Sequence, residues 1–126
     1  MIPLIDLPAQ QAPIKDDIDA AVARVLASGR YVLGPEVEAL EAEFAGACEA
    51  PAAVGVNSGT SALYLALLAS GVGPGDEVIT VPYTFEATAA AVVATGAKVK
   101  FVDIDRRSLT MDVGQLAPQS PMTQRR

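Results

Sequence analysis

Apolar residues recur along the first part of this chain with the spacing of a single helix face, and further on they close up into short runs. Ile18, Val22, Val25 and Leu26 stand at i, i+4, i+7 and i+8, and Val37, Leu40, Phe44 and Cys48 keep a similar face after Pro35, which suits a first helical turn. Two amphipathic helices are predicted. Between them residues 28–37 read SGRYVLGPEV, where Gly29 suits a helix C-cap and Gly34-Pro35 breaks the chain before it restarts, so a fixed, shaped loop is expected. Cys48 falls on the apolar face of the second helix and reads as a small buried hydrophobe.

Beyond Pro51 the pattern alternates: strand over 53–56, helix over about 61–70, strand over 77–81, helix over about 84–95, strand over 99–103. The runs predicted as strands are short and almost continuously apolar, as buried parallel strands are, and the helices are apolar on most sides. The fold class expected is therefore α/β: an N-terminal helical arm, residues 1–50, followed by βαβαβ in residues 51–126. GVGPGDEVI, residues 71–79, holds three glycines at alternate positions, but it follows a helix and precedes a strand, the reverse of a dinucleotide fingerprint, and reads as a turn.

Composition narrows the chemistry. The chain has 126 residues, about one domain, and is 51 % apolar. Nine basic residues against fifteen acidic ones give a net charge of −6, and the cations are scattered rather than set in a stripe, which argues against nucleic acid as a partner. No window reaches the length of a membrane span, since residues 87–97 are broken by Thr88, Thr95 and Gly96. The lone Cys48 cannot form an internal disulfide and no basic segment precedes an apolar stretch at the N-terminus, so a cytoplasmic location is expected. With no histidine and one cysteine, Ser/His/Asp triads, Cys/His dyads and the usual zinc sites are excluded, and no metal site is expected. Any chemistry must use another nucleophile or a cofactor.

In a parallel sheet, ligands collect beyond the carboxyl ends of the strands. The stretches there are Asn57-Ser58-Gly59-Thr60-Ser61, Pro82-Tyr83-Thr84-Phe85-Glu86 and Asp103-Ile104-Asp105. The first ends a strand and opens a helix, leaving N–H groups from about Gly59 to Ala62 free for an anion. Gly59 admits close approach, and the hydroxyls of Ser58, Thr60 and Ser61 add donors for a phosphate, although Ser58 or Thr60 capping its own helix explains the same spacing equally well. Phe85, at the opening of the next helix, offers a flat face to a phosphate-tethered heterocycle; the alternative is a core phenylalanine.

GRYVLGPEVEALEAEFA, VGVNSGTSALYLALLASGVGPGDEVITVPYTFEATAAAVVATGA and VKFVDID, taken together, resemble the N-terminal part of the DegT/DnrJ/StrS family, aminotransferases of PLP fold type I that act mainly on nucleotide-linked keto-sugars. The resemblance runs from about Ile2 to Asp112, with NSGTSAL, GPGDEVI and TFEATA in the family's order. It implies that residues 51–126 are part of a PLP-binding large domain, that Ser58, Gly59, Thr60 and Ser61 hold the cofactor phosphate, and that Phe85 stacks on the pyridine ring. It implies further that the loop of Tyr31 and Gly34 lies on the substrate side near a subunit interface, and that the full-length enzyme is a homodimer taking a nucleotide-sugar and an amino-acid amine donor. Without the resemblance, that loop reads as a helix connector. Asp103 and Asp105 match a strand end that is structural rather than catalytic in the family.

Such chemistry needs a lysine to bind the cofactor's aldehyde carbon and an acid beside its ring nitrogen, and the family carries both well downstream of the matching region. This chain has Lys15, Lys98 and Lys100, none in the family's lysine context, so no catalytic residue is assigned. The tail LAPQSPMTQRR resembles the approach to the family's next buried strand, and the chain reads as truncated and inactive alone. A non-catalytic module that pairs with a full-length relative, or a pseudogene product, is the alternative.

Overall fold

The computed structural model describes residues 4–116, and its contacts divide the chain into two units, Met1–Gly55 and Val56–Arg126. The tail read above as leading toward a further strand lies, past Leu116, outside the described residues.

In the first unit, helix α1 (Leu7–Gln11) starts where Asp6 Oδ1 accepts the Ala9 N–H at 3.1 Å, and a 3-10 turn (Ala12–Ile14) leads into α2 (Lys15–Ser28). Asp16 and Asp17 in the first turn of α2 favour its positive end, and Gly29 ends it in the left-handed conformation at φ 65°. α3 (Pro35–Ala47) begins on the proline, whose missing N–H costs nothing in a first turn, directly after Gly34 at φ 119°. Arg24 on α2 donates to both carboxylate oxygens of Glu36 on α3, at 2.9 and 3.3 Å. The helical periodicity is realised, but little covers its apolar face: Ile18, Val22 and Leu26 are 40, 52 and 62 % exposed, and Phe44 is 59 % exposed. Cys48, expected to be a buried hydrophobe, is instead exposed, because the face it continues at the C-cap of α3 is itself uncovered, Leu40 being 58 % and Phe44 59 % exposed.

The second unit contains α4 (Gly59–Ala69), β1 (Glu77–Thr80), α5 (Ala87–Ala94) and β2 (Lys98–Phe101). The two strands are parallel, in a register that pairs Glu77 with Lys98 and Thr80 with Phe101, and α5 is the crossover that parallel pairing requires. The core gathers on α5 and the strand that follows it: Ala87, Ala91, Val92, Ala97 and Val102 are buried, and buried Thr95 satisfies its hydroxyl by donating to the Val92 carbonyl at 2.7 Å. α4 packs along α5. Gly71 and Gly75 take positive φ and the Gly73 N–H reaches Asp76 Oδ2 at 2.9 Å, so the glycine-rich segment between α4 and β1 is a turn, as its order in the sequence predicts.

Among the described residues the arrangement is mixed α/β with two parallel strands, not the three of βαβαβ. Residues 53–56, predicted as the first strand, lie outside any strand: a strand is a ladder, and this run has no hydrogen-bonded strand neighbour among the described residues. Its apolar side chains are accordingly uncovered, Val54 being 81 % exposed. The second crossover helix also starts later than its pattern suggests, at Ala87, because residues 82–86 form a turn in which Thr84 N–H bonds the Pro82 carbonyl.

No helix among the described residues is long and apolar enough to cross a membrane.

Candidate functional site

The first turn of α4 is built by Ser58. Its backbone is extended (φ −163°, ψ 158°), and from there its hydroxyl oxygen accepts the Ser61 N–H at 3.1 Å, while its carbonyl accepts the Ala62 N–H at 3.0 Å. This removes Ser61 and Ala62 from the N–H groups expected to be free, because the cap and the first helical bond claim them. The N–H groups of Gly59 and Thr60 have no acceptor among the described residues. The Ser58 and Ser61 hydroxyls lie 3.1 Å apart and bond each other, leaving the Thr60 hydroxyl without such a partner among the described residues. Gly59 and Thr60 are both exposed, and a Cβ placed on Gly59 would meet nothing within 4 Å.

Phe85 lies in the turn after β1, two residues before α5, and is 73 % exposed; Tyr83 beside it is 68 % exposed. Thr84 and Thr88 share a hydroxyl–hydroxyl bond at 3.0 Å that steadies the turn. The core reading of Phe85 does not hold in this arrangement, since its ring faces solvent. Because the strands are parallel, the turn bearing Phe85 and the segment bearing Asp103 leave from the same end of the pair, and α4, which carries the free N–H groups, packs on α5.

Asp103 and Asp105 are occupied with their own backbone. Asp103 Oδ1 accepts the Ile104 N–H at 2.7 Å, and Asp105 Oδ1 accepts the N–H groups of Ser108 and Arg107, each at 2.9 Å. The Ser108 and then the Arg107 N–H hold the Asp105 carboxyl below the ordinary aspartate range. Lys98 opens β2 and Lys100 follows on the same strand face, opposite Glu77 and Ile79 in register. Lys15 is paired with Asp19 one turn along α2.

In the first unit, Tyr31 is 68 % exposed, whereas Gly34 is buried and holds a φ of 119° that an L side chain rarely adopts. Leu33 between them is left-handed at φ 56°. Arg24, Arg30, Tyr31, Gly34 and Glu36 border a cavity of about 280 Å³. The Arg24 guanidinium, by hydrogen bond and by charge, holds the Glu36 carboxyl below its ordinary value. The same unit contains a contact that the sequence reading missed: Glu41, on α3, accepts the Gly55 N–H at 2.6 Å. Nothing in the helical pattern marks Glu41 apart from other charged positions on that face; only the glycine in an apolar run hints at a close approach.

The start of α4 offers two N–H groups without an acceptor and one unengaged hydroxyl among the described residues, and an exposed aromatic ring precedes the neighbouring helix. The mixed α/β chain matches the N-terminal part of aminotransferase structures. Residues 12–119 match the DegT/DnrJ/EryC1/StrS aminotransferase family, and the chain belongs to it. It is 57 % identical over 96 residues to dTDP-3-amino-3,4,6-trideoxy-alpha-D-glucose transaminase of Streptomyces venezuelae, covering 76 % of this chain and 25 % of that protein. It is 51 % identical over 112 residues to UDP-2-acetamido-2-deoxy-3-oxo-D-glucuronate aminotransferase of Pseudomonas aeruginosa, covering 89 % and 31 %. The crystal structure of S. venezuelae DesV in complex with a ketimine intermediate superposes with a TM-score of 0.87 at 50 % identity, over 91 % of this chain and 31 % of that one. NtdA of Bacillus subtilis, solved with bound cofactor PMP, gives a TM-score of 0.69 at 37 % identity, over 71 % of this chain and 21 % of that one. The chain thus spans about a quarter to a third of the length of the curated relatives it matches.

Proposed function

We propose that this chain supplies the phosphate cradle and ring-stacking surface of a PLP-dependent aminotransferase that transfers an amino group to a nucleotide-linked keto-sugar. The observation that carries the reading is the start of α4, where Ser58 caps its own helix yet leaves the N–H groups of Gly59 and Thr60, both exposed residues, without an acceptor among the described residues. A dianionic phosphate there meets two oriented donors and the positive end of a helix of 11 residues. The Thr60 hydroxyl adds a donor, and Phe85 covers one face of the ring. When bound, PLP supplies the electron sink for the carbon that loses its proton. The relatives named for dTDP- and UDP-linked sugars support a nucleotide-sugar acceptor, for which the loop of Tyr31 and Gly34 is the proposed contact. Exposed apolar positions on α2 and α3, among them Val22, Leu26 and Leu40, offer surface for the proposed homodimer.

We assign no covalent role to Lys15, Lys98 or Lys100: Lys15 is engaged by Asp19, and the other two sit in the β2 ladder rather than beyond its carboxyl end. The test is to titrate the chain with PLP and with inorganic phosphate, then reduce with borohydride and map the peptides. Phe85→Ala is expected to weaken PLP by about 1–3 kcal/mol, by analogy with stacking on a base, and to leave inorganic phosphate unaffected. A stoichiometric PLP adduct on Lys98 or Lys100, or PLP affinity indifferent to Phe85, contradicts the assignment.

A further inference from the structure

We propose that Arg30 binds the diphosphate of a nucleoside diphosphate in the cavity of the first unit, and that Glu36 withholds Arg24 from the same role; this rests on the acceptor reading of the Tyr31 and Gly34 loop. The cavity, about 280 Å³, is bordered entirely by residues between Arg24 and Val37. The first unit has three basic side chains. Lys15 faces Asp19 and Arg24 faces Glu36, and Arg30 alone has no carboxylate partner among the described residues. Arg24 gives Glu36 two parallel bonds, at 2.9 and 3.3 Å, which is the fork that would otherwise receive a phosphate. The Arg30 fork is open, with no side-chain hydrogen bond among the described residues.

Its place is set from the backbone up. Gly29 ends α2 at φ 65°, and the Ser28 hydroxyl accepts the Arg30 N–H at 3.1 Å while donating to the Val25 carbonyl at 2.8 Å, so the departure of residue 30 from the helix is fixed. Across the loop, a Cβ on Gly34 would lie 3.8 Å from Arg30 Nε and 3.9 Å from Cζ, which places the guanidinium along the bare face of that glycine. Leu33 at φ 56° and Gly34 at φ 119°, ψ −177° hold conformations that cost energy and that gather at ligand sites. Here the strained pair lies beside the one unpaired cation of the unit. Tyr31 borders the same cavity and is 68 % exposed. A flat ring next to an open guanidinium fork suits a ligand with a planar base at one end and a diphosphate at the other.

The experiment titrates the whole chain with UDP, inorganic pyrophosphate and uridine while the arginine Nε–H signals are followed by NMR. UDP is expected to saturate and to shift the Arg30 signal, leaving that of Arg24 in place, and to bind more tightly than uridine. Arg30→Gln should weaken UDP and pyrophosphate about tenfold each, the size of one charge-assisted hydrogen bond. Glu36→Gln removes the carboxylate charge and releases Arg24, and should tighten both several-fold, a gain that loss of structure does not produce. Tyr31→Ala should weaken UDP and leave pyrophosphate unchanged. Arg30→Gln binding UDP as the parent does, or an Arg24 signal moving in place of Arg30, overturns the assignment to Arg30, and the loop survives as the acceptor's contact if Tyr31→Ala still weakens UDP. A Glu36→Gln chain that binds no more tightly overturns the withholding of Arg24. A parent chain that ignores UDP, or that binds uridine equally well, overturns the acceptor reading of the loop and the role of Arg30 with it.

Discussion

The helical unit is no less apolar in sequence than the α/β unit, yet it leaves its apolar helix stripe open where the other buries it. On α2, Ile18, Val22 and Leu26 form a regular stripe and remain 40–62 % exposed, whereas on α5 Ala91 and Val92 are 1 and 2 % exposed. The difference lies in what each helix has to pack against. α5 is a crossover, held between a parallel strand pair and α4, and its small side chains allow close approach on more than one side. α2 carries a stripe as regular as any crossover helix, but its described neighbours leave that stripe open. Periodicity reports which face of a helix is apolar; burial depends on a partner that periodicity does not name.

The largest expected effect that separates the two units comes from a charge. Ala91→Asp puts an unpaired carboxylate at a site 1 % exposed, an uncompensated burial that costs about 3–5 kcal/mol. Leu26→Asp, at a site 62 % exposed, should change stability by no more than about 0.5 kcal/mol. Thermal melts of the two variants check this, and equal losses would erase the contrast. Glycine substitutions sharpen it: Gly96 has φ 83° and a Cβ there would lie 2.9 Å from Pro74 Cγ, while Gly29 at φ 65° has nothing within 4 Å. Gly96→Ala should cost about 1–3 kcal/mol through conformation and collision together, against about 1 kcal/mol for Gly29→Ala from conformation alone. Smaller again, Ser58→Ala removes the α4 cap and should cost about 1 kcal/mol, read as faster amide exchange in the first turn.

The smallest contrast is in acid. Glu36 and Asp105 both have depressed carboxyl pKa values, Glu36 through the Arg24 guanidinium and Asp105 through the Ser108 and Arg107 N–H groups. A depressed folded value means each contributes stability above the ordinary carboxylate range and loses it as pH falls through the folded value. Added salt should move the Glu36 titration back toward normal and leave Asp105 nearly unchanged, because ions screen an exposed charge pair more than a hydrogen bond to backbone. Carboxyl carbon shifts followed by NMR at low and high salt distinguish the two; equal salt responses would contradict these causes.

Much of this architecture was legible in the chain. Gly29 as C-cap, Pro35 at a helix start, the turn around Gly73 and the two strands near 77–80 and 98–101 follow from local rules that act within a few residues. Residues 53–56 were misread as a strand because their apolar run is a property of sequence, while a ladder needs a neighbour elsewhere in the chain. Cys48 was misread because an apolar helix face does not name the partner that would bury it, and Leu40 and Phe44 on that face are exposed as well. At the candidate site, the capping alternative for Ser58 and the free N–H reading turn out to coexist, divided between Ser61 and Ala62 on one side and Gly59 and Thr60 on the other. That division depends on the φ and ψ of Ser58, which no spacing encodes. Glu41 stayed hidden because a half-buried glutamate on a helix and a glycine 14 residues away are related only through the fold.

Whether the start of α4 holds phosphate as well as capping a helix is decided at Gly59. Proline is welcome at the first position of a helix, and extended Ser58 is compatible with a proline after it, so Gly59→Pro deletes one of the two free N–H groups while keeping the helix. Phosphate affinity of Gly59→Pro is compared with that of Gly59→Ala, which adds a Cβ into open space but keeps the N–H. The proline variant is expected to keep its helicity and lose phosphate binding, by about tenfold or more, while the alanine variant keeps most of it. Undiminished binding in a helical Gly59→Pro chain would contradict the cradle and leave Ser58 as a helix cap alone.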